Sequence, residues 1–134
     1  MTDRASIGRA GLVLLTLAAL ALALWTGGGP AAGQREARDA TRLDDLQALA
    51  GFALCLADED GAVPDTLHDH PACAPMPRLA DPYDGTPYGY ARIPDDSFRL
   101  CATFEAPDMV PVRSGPTGRF DPASGCLTTR RDPR

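Results

Sequence analysis

Residues 81–90 read DPYDGTPYGY and residues 97–104 read SFRLCATF, and a Pro-Asp-Asp sequence lies just before the second stretch. The Asp-Gly pair in the first stretch is typical of a tight turn, and the tyrosines after it favour a strand that continues to about Ile93. In the second stretch apolar residues alternate with other residues, as on a strand with one buried face. The two stretches together predict an antiparallel β-hairpin.

A helix that could cover this hairpin precedes it in the chain. Between Gln34 and Asp58, apolar residues recur at steps of three and four, which is the period of an amphipathic helix. The helix is expected to end before Gly61, since glycine suits a left-handed C-terminal cap. A two-stranded ribbon is marginal alone, so we expect its apolar face to pack on the helix. The predicted core consists of Leu46, Leu49, Phe52, Ala53 and Leu56 on the helix and Phe98, Leu100 and Phe104 on the hairpin.

Charged residues fill the helix positions between these apolar ones. The pattern predicts that they face solvent. Two pairs of opposite charge stand close enough along a helix to attract each other, which contributes only about 0.3 kcal/mol per pair. The charged residues are Arg35, Arg38, Asp39, Arg42 and Asp45, and the expected pairs are Arg35 with Asp39 and Arg42 with Asp45.

The N-terminal segment is apolar. Residues 10–26 contain no charge, follow Arg4 and Arg9, and include Trp25 near their end. Basic residues on the cytoplasmic side and an aromatic residue at the far interface are typical of a membrane-spanning helix. At about 1.5 Å per residue the run is roughly 25 Å long, near the lower limit for spanning a bilayer. We expect an uncleaved anchor that includes Leu12, Leu15, Leu20 and Trp25, and a cleaved signal peptide is the alternative.

This segment divides the chain into four predicted parts. They are a cytoplasmic N-terminus (1–9), a transmembrane helix (10–26), a Gly/Pro linker (27–33) and an extracytoplasmic domain (34–134). Either fate of the apolar segment places the domain outside the cytoplasm. The layout therefore predicts a single-pass inner-membrane protein whose C-terminal domain lies in the periplasm.

The charge balance bears on the partners. The chain has 13 basic and 18 acidic residues and a formal net charge of -5. Binding to nucleic acid needs a concentrated basic patch, so this balance argues against such a partner. The partners that we expect are membrane lipid, through the N-terminal helix, and proteins of the envelope or of a secretion system.

All four cysteines lie beyond the apolar segment. An even number in a small exported domain indicates a disulfide framework, and four cysteines allow three pairings. We favour Cys55 with Cys73, which closes a local excursion after the helix, and Cys101 with Cys126, which holds the Pro- and Gly-rich tail. This tail has few apolar residues, and we expect one short strand in it, near residues 109–112. A bond between Cys55 and Cys101 ranks second.

Acidic residues and histidines near the helix end raise the question of a metal. Three aspartates around Gly61 loosely resemble a calcium loop, but their spacing does not fit the EF-hand pattern. Two histidines and two cysteines could bind zinc, but an oxidising compartment favours the disulfide. We expect a solvated acidic turn and an exposed polar loop, with no bound metal or cofactor. The weak candidates for metal ligands are Asp58, Asp60, Asp65, His68 and His70.

The order of these features resembles that of pilin-like proteins. The DPYDGTPY run and the strand after it, together with a Gly-x-x-Pro turn at Gly61 and Pro64, are most similar to the major pseudopilins of type II secretion. The chain also resembles small membrane proteins of proteobacteria that share this layout. The resemblance implies an α+β fold in which the membrane helix continues into an amphipathic helix packed on a small antiparallel β-sheet. The chain departs from prepilins after Gly11, where it reads LVLLT and has no Glu.

The motifs of common enzymes are missing from the sequence. It has no C-x-x-C, no Gly-rich phosphate loop and no Gly-x-Ser-x-Gly. We therefore expect a non-enzymatic, membrane-anchored envelope protein that contributes an interaction surface to a secretion or envelope assembly. The alternative is a secreted periplasmic module that binds a ligand or metal after signal-peptide cleavage. Aromatic residues at strand spacing are expected to belong to the core rather than to a binding face; they are Tyr83, Tyr88, Tyr90, Phe98 and Phe104.

Overall fold

The computed structural model describes residues 4–26, 29–111, 114–115 and 117–132. The chain divides into two units, residues 1–34 and residues 35–134. Two helices come first, α1 (Arg4–Thr26) and α2 (Gly29–Asp60), and residues 29–34 of α2 belong to the first unit. The strands are β1 (Gly89–Ile93), β2 (Ser97–Cys101), β3 (Ser114–Gly115), β4 (Gly118–Asp121) and β5 (Cys126–Arg130), and a 3-10 helix (Pro107–Met109) follows β2.

Helix α1 exposes its apolar side chains. Of the four predicted anchor residues, Leu20 is the least exposed at 59% and Trp25 the most at 89%. Within the part of the chain that the structure describes, one helical stretch is long and apolar enough to cross a membrane. A signal sequence near the N-terminus meets the same criterion.

Helix α2 begins earlier than the sequence predicted. Residues 29–33, expected to belong to a Gly/Pro linker, are helical, and residues 27–28 of that linker lie outside the described residues. Proline is tolerated in the first turn of a helix. The N–H groups there have no intrahelical acceptor, so the lack of one in proline costs no hydrogen bond. The two alanines that follow Pro30 are strong helix formers. At the other end, α2 stops at Asp60, directly before Gly61 as predicted, and Gly61 has a positive φ of 77°.

The strands form one antiparallel sheet in the order β1-β2-β5-β4-β3, and β3 is only two residues long. The predicted hairpin is β1 and β2, joined by a turn at residues 94–96 and paired in register from Ile93 opposite Ser97 to Gly89 opposite Cys101. Strand β5 pairs with the other side of β2, so that Leu100 lies opposite Leu127. The α+β class predicted from the sequence is confirmed.

The tail differs most from its prediction. The strand expected near residues 109–112 is wrong, because residues 107–109 form a 3-10 helix and Val110 follows it in a bend; residue 112 lies outside the described part. Proline lacks the N–H that a strand ladder needs, and Pro107 and Pro111 flank this segment. The tail also supplies core residues that the sequence analysis did not predict. Phe120 and Leu127 from β4 and β5 are 0% and 1% exposed.

The core lies between α2 and the sheet. One buried cluster contains Leu46, Leu49 and Ala53 together with Phe98 and Leu100, as predicted. Phe104 is only partly buried, but it packs against this cluster. The further members are Leu43, Ala50, Ala57, Val63, Val110, Phe120 and Leu127.

Two predicted core residues lie elsewhere. Phe52 and Leu56 are 5% and 0% exposed but are not members of the cluster that contains Phe98. They flank Cys55 on α2, and the disulfide from Cys55 to Cys73 ties the chain after the helix to this side. Burial of Phe52 and Leu56 was therefore predicted correctly, whereas their packing against the hairpin was not.

Candidate functional site

Two charged residues of α2 are buried. Asp39 and Arg42 are 1% and 3% exposed, although the sequence predicted that they face solvent. Asp39 precedes Leu43 by four positions, and Arg42 precedes Leu46 by four. The two charged residues therefore continue the buried stripe of the helix towards its N-terminal end. Charged side chains are almost never fully buried unless they are paired. Their burial therefore points to a network of partners.

Arg42 is the centre of this network. Its Nε donates to Oδ2 of Asp81 at 2.5 Å, and its Nη1 donates to Oδ1 of Asp39 at 2.7 Å and to Oε1 of Glu105 at 3.0 Å. Burial alone would lower the pKa of Arg42, but the hydrogen bonds to the three carboxylates outweigh it and raise the pKa. The predicted pair of Arg42 with Asp45 is wrong, because the fork of Arg42 is occupied by these three partners.

Asp39 also accepts hydrogen bonds from the backbone. Its Oδ1 accepts the backbone N–H of Glu105 at 3.0 Å, and its Oδ2 accepts that of Ala106 at 2.7 Å. Asp39 was expected to pair with Arg35; among the described residues, its only ion-pair partner is Arg42. One buried carboxylate thus fixes the backbone that follows β2 against α2.

Glu105 closes the network at the surface. The guanidinium of Arg38 donates two parallel hydrogen bonds to its carboxylate, from Nε to Oε1 at 2.7 Å and from Nη2 to Oε2 at 2.6 Å. Such bidentate pairs are the strongest ordinary ion pairs in proteins. The hydrogen bond from Arg38, followed by that from Arg42, lowers the pKa of Glu105 to about 2. The carboxylate therefore stays ionised far into acid.

The DPYDGTPY run forms a loop that positions the carboxylate of Asp81 against Arg42. The backbone N–H of Asp81 donates to the carbonyl of Thr86, and that of Gly85 donates to the carbonyl of Asp81, both at 2.9 Å. The Oδ1 of Asp81 accepts the N–H of Tyr83 at 2.8 Å, and Oδ1 of Asp84 accepts that of Thr86 at the same distance. Gly85 has a φ of 76°, a conformation that suits glycine. The run is therefore a self-bonded turn whose first carboxylate is buried.

Two tyrosines fasten this loop to α2. The hydroxyl of Tyr83 lies 3.1 Å from Oγ1 of Thr41, and the guanidinium of Arg42 lies 5.7 Å from the centre of the Tyr83 ring, within the range of a cation–π contact. The hydroxyl of Tyr88 donates to Oδ2 of Asp45 at 2.8 Å. Burial, together with this bond to a carboxylate, raises the pKa of Tyr88. Tyr83 is 50% exposed, so it is not the core residue that the sequence predicted.

The other expected core tyrosine is held differently. Tyr90 on β1 packs against the core cluster, and its hydroxyl donates to the carbonyl of Pro64 at 2.6 Å. Burial raises the pKa of Tyr90. Its contact joins the edge strand to the segment that follows α2.

The network suits a structural role. It contains two guanidinium groups and three carboxylates, and each of them is bonded to another member. Among the described residues no buried side-chain polar atom lacks a hydrogen-bond partner. A set of fully paired charges holds segments in register, here α2, the DPYDGTPY loop and the backbone at 105–106.

The candidate metal ligands each contact a different partner and do not converge on one point. Asp58 pairs with Arg131 at 3.4 Å, Asp65 pairs with Arg92 at 3.2 Å, and His68 Nε2 lies 3.4 Å from Asp60. The Nδ1 of His70 accepts the N–H of Ala72 at 3.2 Å. Over residues 4–26, 29–111, 114–115 and 117–132, no group of three or more His, Cys, Asp or Glu side chains is placed to hold a metal.

The cysteines form two disulfides. Cys55 is bonded to Cys73, and Cys101 to Cys126, the pairing that the sequence favoured. A zinc site of two histidines and two cysteines needs cysteine thiolates, and cysteines held as disulfides do not supply them. Cys101 and Cys126 lie directly opposite each other on β2 and β5, so their bond spans one strand pair of the sheet.

Comparison of the chain with protein-family models, curated proteins and solved structures gives no match. The assignment of a role therefore depends on the features of the chain itself.

The sequence contains one signal for this network, in the spacing of two charged residues. Asp39 and Arg42 are opposite charges at helical spacing, and they extend an apolar stripe instead of lying opposite to it. A pair of that kind can be buried if a third charged group covers it. The unusual DPYDG turn supplies such a group in Asp81, and nothing in the local pattern identifies Glu105.

Proposed function

We propose that this chain is a non-enzymatic, membrane-anchored envelope protein. Its second unit is a pilin-like domain that lies in the periplasm and contributes an interaction surface to a secretion or envelope assembly. The observation that carries the proposal is the exposed apolar helix α1, present in a chain whose other unit contains two disulfides.

The exposed helix supports the anchor. Leu12, Leu15 and Leu20 are all at least 59% exposed. Removing apolar surface from water is favourable by roughly 25 cal/mol per Å², so a helix with this surface is stable in a lipid bilayer and costly in water. Arg4 and Arg9 precede the apolar run, and basic residues favour the cytoplasmic side. The rest of the chain would then lie on the opposite side.

The disulfides support the compartment. Such bonds persist in the periplasm and are rare in the cytosol, where thiols are kept reduced. Both bonds belong to the second unit, residues 35–134. Charge and chemistry thus favour the same side of the membrane for this unit.

The domain architecture supports an interaction role of the pilin-like kind. The C-terminal part of α2 covers an antiparallel sheet, and the DPYDGTPY loop is fastened to the same helix by Asp81, Tyr83 and Tyr88. The charged groups at this junction are bonded to one another, which favours a rigid surface over a reacting centre.

Expression of the full chain in a Gram-negative bacterium tests the anchor and the compartment. We expect the protein to resist alkaline extraction from membranes, to have the intact mass of the full chain, and to activate alkaline phosphatase fused after Arg134. A matched variant with Leu15→Arg and Leu20→Arg should lose membrane retention. A soluble product whose N-terminus is near Gln34 would instead support the alternative, a secreted periplasmic module that binds a ligand.

Crosslinking in the native membrane tests the interaction role. We expect an envelope protein to be captured with the intact chain and to be lost when the buried network is disrupted by Arg42→Ala. Capture that returns no envelope protein above the background of a chain-free membrane would count heavily against this role.

A further inference from the structure

A groove lies beside the charged network, between α2 and the segment that follows β2. It has a volume of about 340 Å³. This is at the small end of the roughly 300–1,000 Å³ typical of ligand pockets, so one or two side chains fill it. Its walls are formed by Glu36, Ala40, Leu43 and Asp44 on one side and by Ala106, Met109, Val110 and Pro111 on the other.

An exposed apolar side chain marks this groove. Among the described residues outside α1, Met109 is the most exposed large apolar side chain, at 60%. Methionine is flexible and polarizable, and it is frequent on surfaces that adapt to a partner. Leu43 and Val110, which are 4% and 7% exposed, lie among the lining residues and supply further apolar surface.

The wall that carries Met109 is held in place. Asp39 accepts the N–H groups of Glu105 and Ala106, and the N–H of Met109 donates to the carbonyl of Ala106 at 2.9 Å. Val110 anchors the other end of the 3-10 helix in the core cluster. A wall fixed in advance loses little conformational freedom when a ligand binds, which favours affinity.

The charges of the groove indicate its occupant. Glu36 and Asp44 lie one turn to either side of Ala40 on α2, and both are exposed. Among the described residues, neither carboxylate makes an ion pair, whereas Glu105 nearby in the fold is held by Arg38 and Arg42. Two exposed carboxylates beside an apolar floor complement an apolar side chain with basic neighbours.

We propose that this groove, defined by Glu36, Ala40, Leu43, Asp44, Met109 and Val110, binds a segment of a partner protein that inserts an apolar side chain flanked by Lys or Arg. The inference deepens the proposed function, because it assigns the interaction surface on which that function rests. The buried network contributes to binding by positioning the wall at 105–110.

A peptide titration tests the groove directly. The probe is a fluorescein-labelled six-residue peptide with a central Leu-Phe pair between two Lys on each side. Control peptides replace the four Lys by Glu or the Leu-Phe pair by Ala-Ala. The full chain is placed in nanodiscs of phosphatidylcholine, which carries no net charge, and anisotropy reports binding. We expect the basic apolar peptide to bind at least about fivefold more tightly than either control.

Variants locate the binding. Met109→Glu should weaken binding at least about fivefold, whereas Leu79→Glu, at an exposed apolar residue outside the groove, should not. The double change Glu36→Lys and Asp44→Lys should reverse the preference in favour of the Glu-containing peptide. The matched control is Glu59→Lys with Asp60→Lys, which changes the net charge equally at the end of α2. Circular dichroism verifies that every variant is folded.

Three outcomes would overturn the inference: no peptide binding, equal binding of the basic peptide and its controls, or equal effects of the two charge-reversal pairs. The assay does not depend on the fate of α1 in cells. A chain that binds the peptide but is released from membranes as a cleaved product would retain the groove and refute the anchor. A chain that stays in the membrane but does not bind the peptide would support the anchor and refute the groove.

Discussion

The two ends of the buried stripe on α2 stabilise the same domain in different ways. At the C-terminal end, Leu46, Leu49 and Ala53 pack with Phe98 in a core where contact is non-directional. At the N-terminal end, Asp39 and Arg42 are buried by specific bonds to Asp81 and Glu105 and to backbone N–H groups. The apolar end gains free energy from each buried side chain, whereas the charged end gains only if its geometry is complete.

This difference matters for how each end responds to change. Burying two opposite charges costs desolvation that their attraction and hydrogen bonds only just repay, so a buried ion pair adds little net stability. Removing one member, however, leaves the others buried without a counter-charge. The charged end therefore specifies where the DPYDGTPY loop and the backbone at 105–106 lie, while the apolar end supplies the free energy of folding.

The largest effect is expected from Arg42→Ala. It leaves Asp39 and Asp81 buried without their cation, and we expect the free energy of unfolding to fall by about 3–5 kcal/mol. Arg35→Ala removes the same charge from an exposed position of α2 and should change it by less than about 0.5 kcal/mol. Urea unfolding of the full chain in detergent measures both. Similar values for the two variants would show that Arg42 is not the centre of a buried network.

The apolar end is tested by Phe52→Ala. Phe52 is 5% exposed, and truncation should lower the free energy of unfolding by about 3 kcal/mol, at the low end for a buried Phe because this residue is outside the central cluster. The effect should be smaller than that of Phe98→Ala, whose side chain is fully buried within that cluster. A loss below about 1 kcal/mol for Phe52→Ala would contradict its burial.

The fastening of the loop is tested by Tyr88→Phe. This change removes only the hydroxyl that donates to Asp45, and Asp45 keeps a second partner in Arg78 at 3.4 Å. We expect a loss of about 1 kcal/mol in the free energy of unfolding. Tyr83→Phe removes a hydroxyl bond at an exposed site and should cost less. Equal losses for the two tyrosines would show that burial does not distinguish their hydrogen bonds.

The effect most specific to acid is expected from Glu105→Gln. The pKa of Glu105 lies at about 2 in the folded protein, against an ordinary value of 4.5. Its contribution to stability is therefore complete above about pH 4.5 and is lost as the pH falls towards 2. Unfolding measured between pH 6 and pH 2 should show a weaker acid dependence in Glu105→Gln than in the natural chain. Parallel pH profiles would contradict the lowered pKa.

Most of what could be predicted lies where the pattern is local. The Asp-Gly turn and the alternation after it located β1 and β2, and helical spacing identified Leu46, Leu49 and Ala53 as core residues. Chain order was sufficient to favour the disulfide pairing, since each bond joins the chain to a segment that folds back on it. For the charged site, the local pattern predicts the DPYDG turn, but it also predicts that Arg38, Asp39 and Arg42 face solvent.

The sequence by itself determined an apolar segment that needs a membrane or a signal peptidase, an amphipathic helix, a hairpin and a cysteine framework, because periodicity, charge and turn chemistry are properties of neighbouring residues. Only the tertiary structure decided the rest. The pairing of β5 with β2 and of β4 with β5 made Leu127 and Phe120 core residues, although a Pro- and Gly-rich context gave them no local pattern. Similarly, the burial of Arg42 depends on Asp81 and Glu105, which are 39 and 63 positions away in the chain. A charge is buried only where distant groups repay its desolvation, and a local pattern cannot reveal which groups these are.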